Sequence, residues 1–173
     1  MSNEKLRRLA SREVLENHLN SPCRASSKRG HSRKVRFMNP TTNSSNIVAL
    51  PFGQTLYEVV GGEATFARIA DRFYNAVAAD AFLSPMYPGD WDESKRTLKL
   101  FLMQFFGGPD EYSQERGHPR LRMRHAPFSI GEAERDAWMQ HMTAAIEAES
   151  FAPQIETVFL DYFARTATFL MNK

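Results

Sequence analysis

A single cysteine, Cys23, excludes any disulfide within this chain of 173 residues, and such sparse use suits a reducing cytoplasm. It lies among the first fifty residues, so the remainder has no thiolate to offer a metal. No apolar run approaches the roughly 18 residues that a transmembrane helix needs. The opening MSNEKLRRLASREV lacks the apolar stretch of a secretory signal. It is amphipathic and rich in Arg and Ser, as transit peptides are, but Glu4, Glu13 and Glu16 oppose that reading. Acidic residues are scarce early and in excess later: residues 1–50 hold ten Lys or Arg against three Glu, and residues 51–173 hold twelve against seventeen acidic residues. The formal charge of +2 is the sum of +7 and −5 from these two parts. A net acidic core lacks the basic face that phosphate binding requires, which excludes nucleic acid as its partner; any polyanion contact falls to the arm.

What is present divides the chain at about residue 50. Residues 21–54 collect Pro22, Ser26, Ser27, Gly30, Pro40, the run TTNSSN, Pro51 and Gly53, too little apolar surface to offset the entropy of ordering. Residues 1–50 are thus expected to be a basic, largely disordered extension, and residues 51–173 a single domain. Leu6, Leu9, Ala10, Val14 and Leu15 recur at helical spacing and predict a short surface helix within the extension. Met38, opening MNPTTNSS, is a candidate alternative start.

From Thr55 onward the apolar spacing is helical throughout, and with 42% apolar residues in the chain a real core is available. Phe66, Ile69, Ala70, Phe73 and Val77 form one stripe after Gly61 and Gly62. Leu98, Phe101, Leu102 and Phe105 form a second, ended by the GGP of residues 107–109. Ser129 and Glu132 have the spacing of a capping box and predict the start of a third helix carrying Ala133, Ala137, Trp138, Met142, Ala145 and Ile146. Pro153 opens a fourth, with Ile155, Val158, Phe159, Tyr162, Phe163, Phe169 and Leu170 facing inward. No segment alternates with period two, so no sheet is expected. The plan is all-α: antiparallel pairs over 64–79 with 91–106 and 130–148 with 153–171.

Between the pairs runs the segment 109–128. Pro109, Gly117, Pro119 and Pro127 break it, and Arg116, Arg120, Arg122 and Arg124 make it basic. Within it LRMRHAPF, residues 121–128, places His125 at the end of a short helical run that Pro127 cannot continue. A basic stretch around one histidine, set between apolar helices, suits an anionic planar cofactor with one bond to its metal. By spacing alone His125 serves equally as a core histidine bonded to a carbonyl, and the methionines are core filler.

Several motifs then fall in order: LYEVVGG at 56–62, TFARIADRFY at 65–74, FLMQFFGGPDEYSQERGHPRLRMRHAPF at 101–128 and ERDAW at 134–138. Together they resemble the truncated haemoglobins, in particular group II, with a tryptophan in the distal pocket. Residues 1–50 match nothing in that family's core. The resemblance implies a truncated globin fold, a two-over-two helical sandwich whose shortening the glycine pairs 61–62 and 107–108 permit. It implies haem b, iron protoporphyrin IX, with His125 as the axial metal ligand. Tyr74, Tyr87 and Trp138 correspond to the polar groups of the distal pocket, although as residue types they equally suit an aromatic core. Ser94 corresponds to the gate position and Leu98 lies one turn later; by themselves they are the start of a solvated helix face. Phe101, Leu121 and Phe128 supply apolar contacts, and Tyr112, His118 and Arg124 are candidates for the propionates or, equally, part of a solvated basic face.

The function so implied is haem-based binding of oxygen, and of carbon monoxide and nitric oxide, with high affinity and slow release. The alternative on the same haem is a nitric-oxide dioxygenase or a peroxidase-type enzyme. Nothing in the chain resembles a reductase, so turnover needs an external electron donor. Candidate partners are such a reductase and a second copy of the chain as a homodimer. A reading from another class is a helical interaction module whose basic arm binds a polyanion and whose His125 is structural.

Overall fold

The computed structural model describes residues 53–87 and 89–173; the basic segment 1–50, with its predicted helix, lies outside the described residues. Thr55 opens the first helix, α1 (Leu56–Val59), with a reciprocal box: its hydroxyl accepts from the Glu58 N–H at 3.2 Å, and the Glu58 carboxylate accepts from the Thr55 N–H at 2.8 Å. After Gly61, in the left-handed region, α2 (Gly62–Ala79) buries the whole predicted stripe of Phe66, Ile69, Ala70, Phe73 and Val77. Its C-terminal turn leads through a short 3-10 turn (Ser84–Met86) to α3 (Trp91–Phe105), which the Asp90 carboxylate caps by accepting from Glu93 N–H at 3.0 Å.

Where α3 ends, the chain passes close to α1. A Cβ on Gly107 would sit 2.7 Å from Thr55 Cβ, and one on Gly108 would sit 2.7 Å from the Tyr57 ring and 2.9 Å from the Met103 carbonyl. Gly107 is also left-handed, at φ 94°. The glycine pair is therefore needed for approach as well as for turning. This lets Tyr57 N–H reach the Phe106 carbonyl at 2.9 Å.

The third and fourth long helices are α6 (Glu132–Glu147) and α7 (Pro153–Leu170), preceded by two short ones, α4 (Glu111–Arg116) and α5 (Leu121–His125). Helix α2 packs on both α3 and α6, and α6 on α7, giving the two expected antiparallel pairs; no strand occurs among the described residues. Their shared interior is largely aromatic, with Phe159 4.6 Å from Phe106 and Phe66 stacked at 5.9 Å from Phe106. Each such ring buried contributes about 1.5–3 kcal/mol.

Several expectations are corrected. The third long helix does not start from a Ser129–Glu132 box. Ile130 N–H is held by the Asn172 side chain at 3.0 Å, which keeps the chain extended for two more residues. The helix opens instead at Gly131, whose N–H donates to the Glu134 carboxylate at 2.7 Å. Phe105 is 39% exposed because the buried face of α3 runs through Leu100, Leu102 and Met103; the ring lies on Tyr162, 4.0 Å away. Leu98 and Phe101 are half-buried. Ala133 is exposed, and Phe169 is 55% exposed, lying under the Arg122 guanidinium at 5.2 Å. In the breaker-rich segment, α4 forms because buried Tyr112 anchors it, while the Gln104 amide accepts from Ser113 N–H at 2.9 Å and donates to its hydroxyl at 2.7 Å.

The end of α2 is fixed by Asp80. One carboxylate oxygen accepts from Phe82 N–H at 2.7 Å and Leu83 N–H at 3.3 Å, and the other lies 2.7 Å from His141 Nε2 on α6. The His141 hydrogen bond, then that of Phe82, holds the Asp80 carboxyl below its ordinary value of 3.8. A carboxyl lowered on folding adds stability above its unfolded value and loses it as pH falls through the folded one. Asp80→Asn is therefore expected to flatten the decline of stability below about pH 4. Urea titrations across that range check this; identical slopes for both chains would remove Asp80 as a contributor.

Candidate functional site

Helix α5 exists to present its last residue. His125 Nδ1 lies 2.7 Å from the Leu121 carbonyl one turn back, and because a carbonyl only accepts, Nδ1 carries the proton. Nε2 is left with its lone pair and has no hydrogen-bond partner among the described residues. Burial pushes the imidazole below its ordinary value, the Leu121 bond opposing. A neutral imidazole oriented by its other nitrogen is the state a metal requires.

The loop after it is clamped from the far end of α7. Asn172 Nδ2 donates to the Phe128 carbonyl at 2.7 Å and to the His125 carbonyl at 3.3 Å, and its backbone N–H donates to Ile130 at 2.9 Å. Behind this loop lies a cavity of about 270 Å³. Leu83, Met86, Phe128, Ile130, Ala167 and Leu170 form its apolar wall, and Tyr87, Arg124, His125, Glu134, Arg135, Trp138 and Thr166 its polar one.

Of the predicted site residues, the cavity thus brings together Tyr87, Arg124, His125, Phe128 and Trp138. Tyr74 stands immediately behind, its ring edge-on to Tyr87 at 5.7 Å. Burial, with Tyr87 beside it, pushes the Tyr74 hydroxyl well up. Burial likewise pushes the Tyr87 hydroxyl up to about 12, the neighbouring Trp138 indole N–H pulling the other way without the geometry of a full hydrogen bond. Trp138 itself is wedged between Phe73 at 5.0 Å and Phe163 at 5.8 Å. Both Tyr87 and Trp138 therefore carry donors that packing holds beside the cavity.

The others lie off the cavity wall. Ser94 spends its hydroxyl on the Asp90 carbonyl at 2.8 Å in the first turn of α3, with Leu98 one turn on. Phe101 packs edge-on against buried Tyr112 at 5.5 Å. Leu121 contributes its carbonyl to His125, and His118 is exposed, accepting from Arg120 N–H at 3.2 Å. Trp91, at the start of α3, joins the aromatic group 5.8 Å from Tyr87.

Charge at the cavity comes from two guanidiniums and from the Glu134 carboxylate, which Lys173 Nζ meets at 2.9 Å. Arg124 is tied to the Pro119 and Arg116 carbonyls, both at 2.9 Å. Arg135 has a buried Nε with no hydrogen-bond partner, misaligned with the Asp136 carboxylate 2.8 Å away. Among the described residues no three His, Cys, Asp or Glu side chains converge on a metal, and His125 is the one histidine on the cavity wall. One neutral imidazole, apolar walls and two guanidiniums, one with a buried Nε that makes no hydrogen bond, fit an anionic metallo-macrocycle such as haem. Arg135, Thr166, Ala167 and Leu170 are absent from the sequence-based set. Their only signal is a spacing of three, four or seven residues from Trp138 or Phe163, which marks a helix face but not what it faces.

Residues 55–172 match the family model of the bacterial-like globins. Over 117 residues the chain is 37% identical to the group 2 truncated hemoglobin YjbI of Bacillus subtilis, covering 68% of this chain and 88% of that protein. A hemoglobin from the thermophilic phototrophic bacterium Chloroflexus aurantiacus superposes with a TM-score of 0.68 at 52% identity, over 69% of this chain and 99% of the other. A truncated oxygen-avid haemoglobin from Bacillus subtilis gives 0.65 at 36% identity, over 69% and 100%. No helix among the described residues is long and apolar enough to cross a membrane. With the two helix pairs and the histidine-bearing α5 between them, these likenesses establish that the chain belongs to the bacterial-like globins, within the group 2 truncated haemoglobins.

Proposed function

We propose that this globin binds haem b through His125 and holds oxygen tightly, releasing it slowly. The observation that carries the proposal is one cavity shared by a neutral, carbonyl-oriented His125 and by the donor groups of Tyr87 and Trp138. When bound, haem supplies an iron with one coordination position open to oxygen, carbon monoxide or nitric oxide. His125 offers Nε2 to the metal, and Arg124 and Arg135 offer charge to the carboxylates of the macrocycle. Trp138 and Tyr87 offer an N–H and an O–H to the gas. Such donors favour the gas that carries more negative charge, oxygen over carbon monoxide. Each hydrogen bond to a charged acceptor contributes about 1.5–3 kcal/mol, or roughly one to two decades in release. The oxygen-avid relative at 36% identity supports the same reading. Stopped-flow oxygen release tests it. If the Tyr87→Phe, Trp138→Phe double variant releases oxygen no faster than the parent, the reading is wrong.

Residues 1–50 are, on this proposal, an extension that haem binding does not need, and the single cysteine suits the cytoplasm. A chain starting at Leu50 is expected to take up haem in the same ratio and with the same absorption spectrum as the full chain. Loss of uptake on truncation would make the extension part of the globin.

A further inference from the structure

Two walls of the cavity must keep their spacing for Tyr87 and Trp138 to act on one gas molecule, and they belong to different elements. Tyr87 follows the 3-10 turn that also delivers Leu83 and Met86; Trp138 is on α6. The turn's backbone bonds run only within itself or back to α2: Asp80 N–H to Val77, Ser84 N–H to Asp80, Met86 N–H to Leu83 and Tyr87 N–H to Ser84. Nothing in that ladder refers to α6. Among the described residues, one polar side-chain contact does: Asp80 Oδ2 lies 2.7 Å from His141 Nε2.

We propose that Asp80 and His141 are positioning residues that set the distance between Tyr87 and Trp138. The placement supports it at both ends. His141 lies three residues after Trp138, one turn along the same face of α6. Asp80 holds the turn itself, through Phe82 and Leu83, and Leu83 is a buried wall residue of the cavity. Holding His141 therefore holds the turn, and the turn carries Tyr87. Both side chains are about one-fifth exposed, so the pair is shielded enough to define a geometry. Neither residue touches the cavity. The proposal rests on the gas-binding reading for its consequence, but not for its geometry.

The test uses the full, haem-loaded chain in its carbon monoxide form, isotope-labelled for NMR, with the two tryptophan indole signals assigned by Trp91→Phe. The readout is the through-space contact between the Trp138 indole N–H and the Tyr87 ring. His141→Leu is expected to weaken or abolish that contact and to speed oxygen release about two- to ten-fold, with a smaller change for carbon monoxide. His141→Gln, which keeps a nitrogen near the same reach, is expected to restore both to within two-fold. If His141→Leu does not fold, Asp80→Ser, which keeps an oxygen for the Phe82 and Leu83 N–H groups but is too short to reach His141, carries the same comparison. A contact that persists unchanged in the leucine variant, or that the glutamine variant fails to restore, overturns the pair as a positioning device. A lost and restored contact with unchanged oxygen release sustains the positioning and removes Tyr87 and Trp138 as donors to the gas.

Discussion

His125→Ala is expected to abolish stable iron coordination while leaving most of the helical structure in place. The long helices owe their burial to Phe66, Phe73, Leu102, Met142, Ile146 and Phe159, none of which depends on the imidazole. The side chain makes one hydrogen bond, to Leu121, within its own short helix. Its loss costs α5 a brace and, on the proposed reading, the iron its protein ligand. Neither remaining histidine among the described residues can substitute: His118 is exposed and engaged in its own turn, and His141 is committed to Asp80. The variant should show near-parental far-ultraviolet dichroism, no stable Soret band, and a melting temperature that haem no longer raises. Added imidazole should partly restore the band. A variant that keeps the parental Soret band and five-coordinate ferrous spectrum would mean that another residue is the ligand.

Trp138→Phe is expected to speed oxygen release by about ten-fold or more, because it deletes one N–H donor to a charged acceptor. Most of the apolar volume stays, so packing against Phe73 and Phe163 is largely kept. Carbon monoxide is the less polar ligand and should respond less. The pair of stopped-flow rates separates the causes. Equal acceleration of both gases would indicate altered access, and no change in either would place Trp138 outside the gas site.

The four long helices were legible because burial writes its period directly into sequence. The α2 stripe from Phe66 to Val77 is buried residue for residue, and Pro153 marks the start of α7. Periodicity does not say how wide a face is covered. Phe105 and Phe169 fit the spacing, yet both stay more than a third exposed, the first packed on Phe106 and Tyr162 and the second under Arg122. The Ser129–Glu132 spacing misled because a tie from 42 residues away, Asn172 to Ile130, decides where the helix can begin. In the site, His125 and Trp138 came from motifs, while Arg135 and Thr166 could not: what makes them wall residues is the crossing of α6 and α7. The polar link between the two cavity walls was equally hidden, since Asp80 and His141 stand 61 residues apart.

The Asn172 clamp imposes an order in time on the living chain. His125 leaves the ribosome 47 residues before the asparagine that secures its loop, a gap of about 2–9 s at ordinary synthesis rates. Throughout that interval α7, with Thr166, Ala167 and Leu170, is also still to come. The His125 loop is thus exposed on a nascent chain with an open back wall. On the proposed reading, lasting capture of the cofactor has to wait until Asn172 has been made and has closed on that loop.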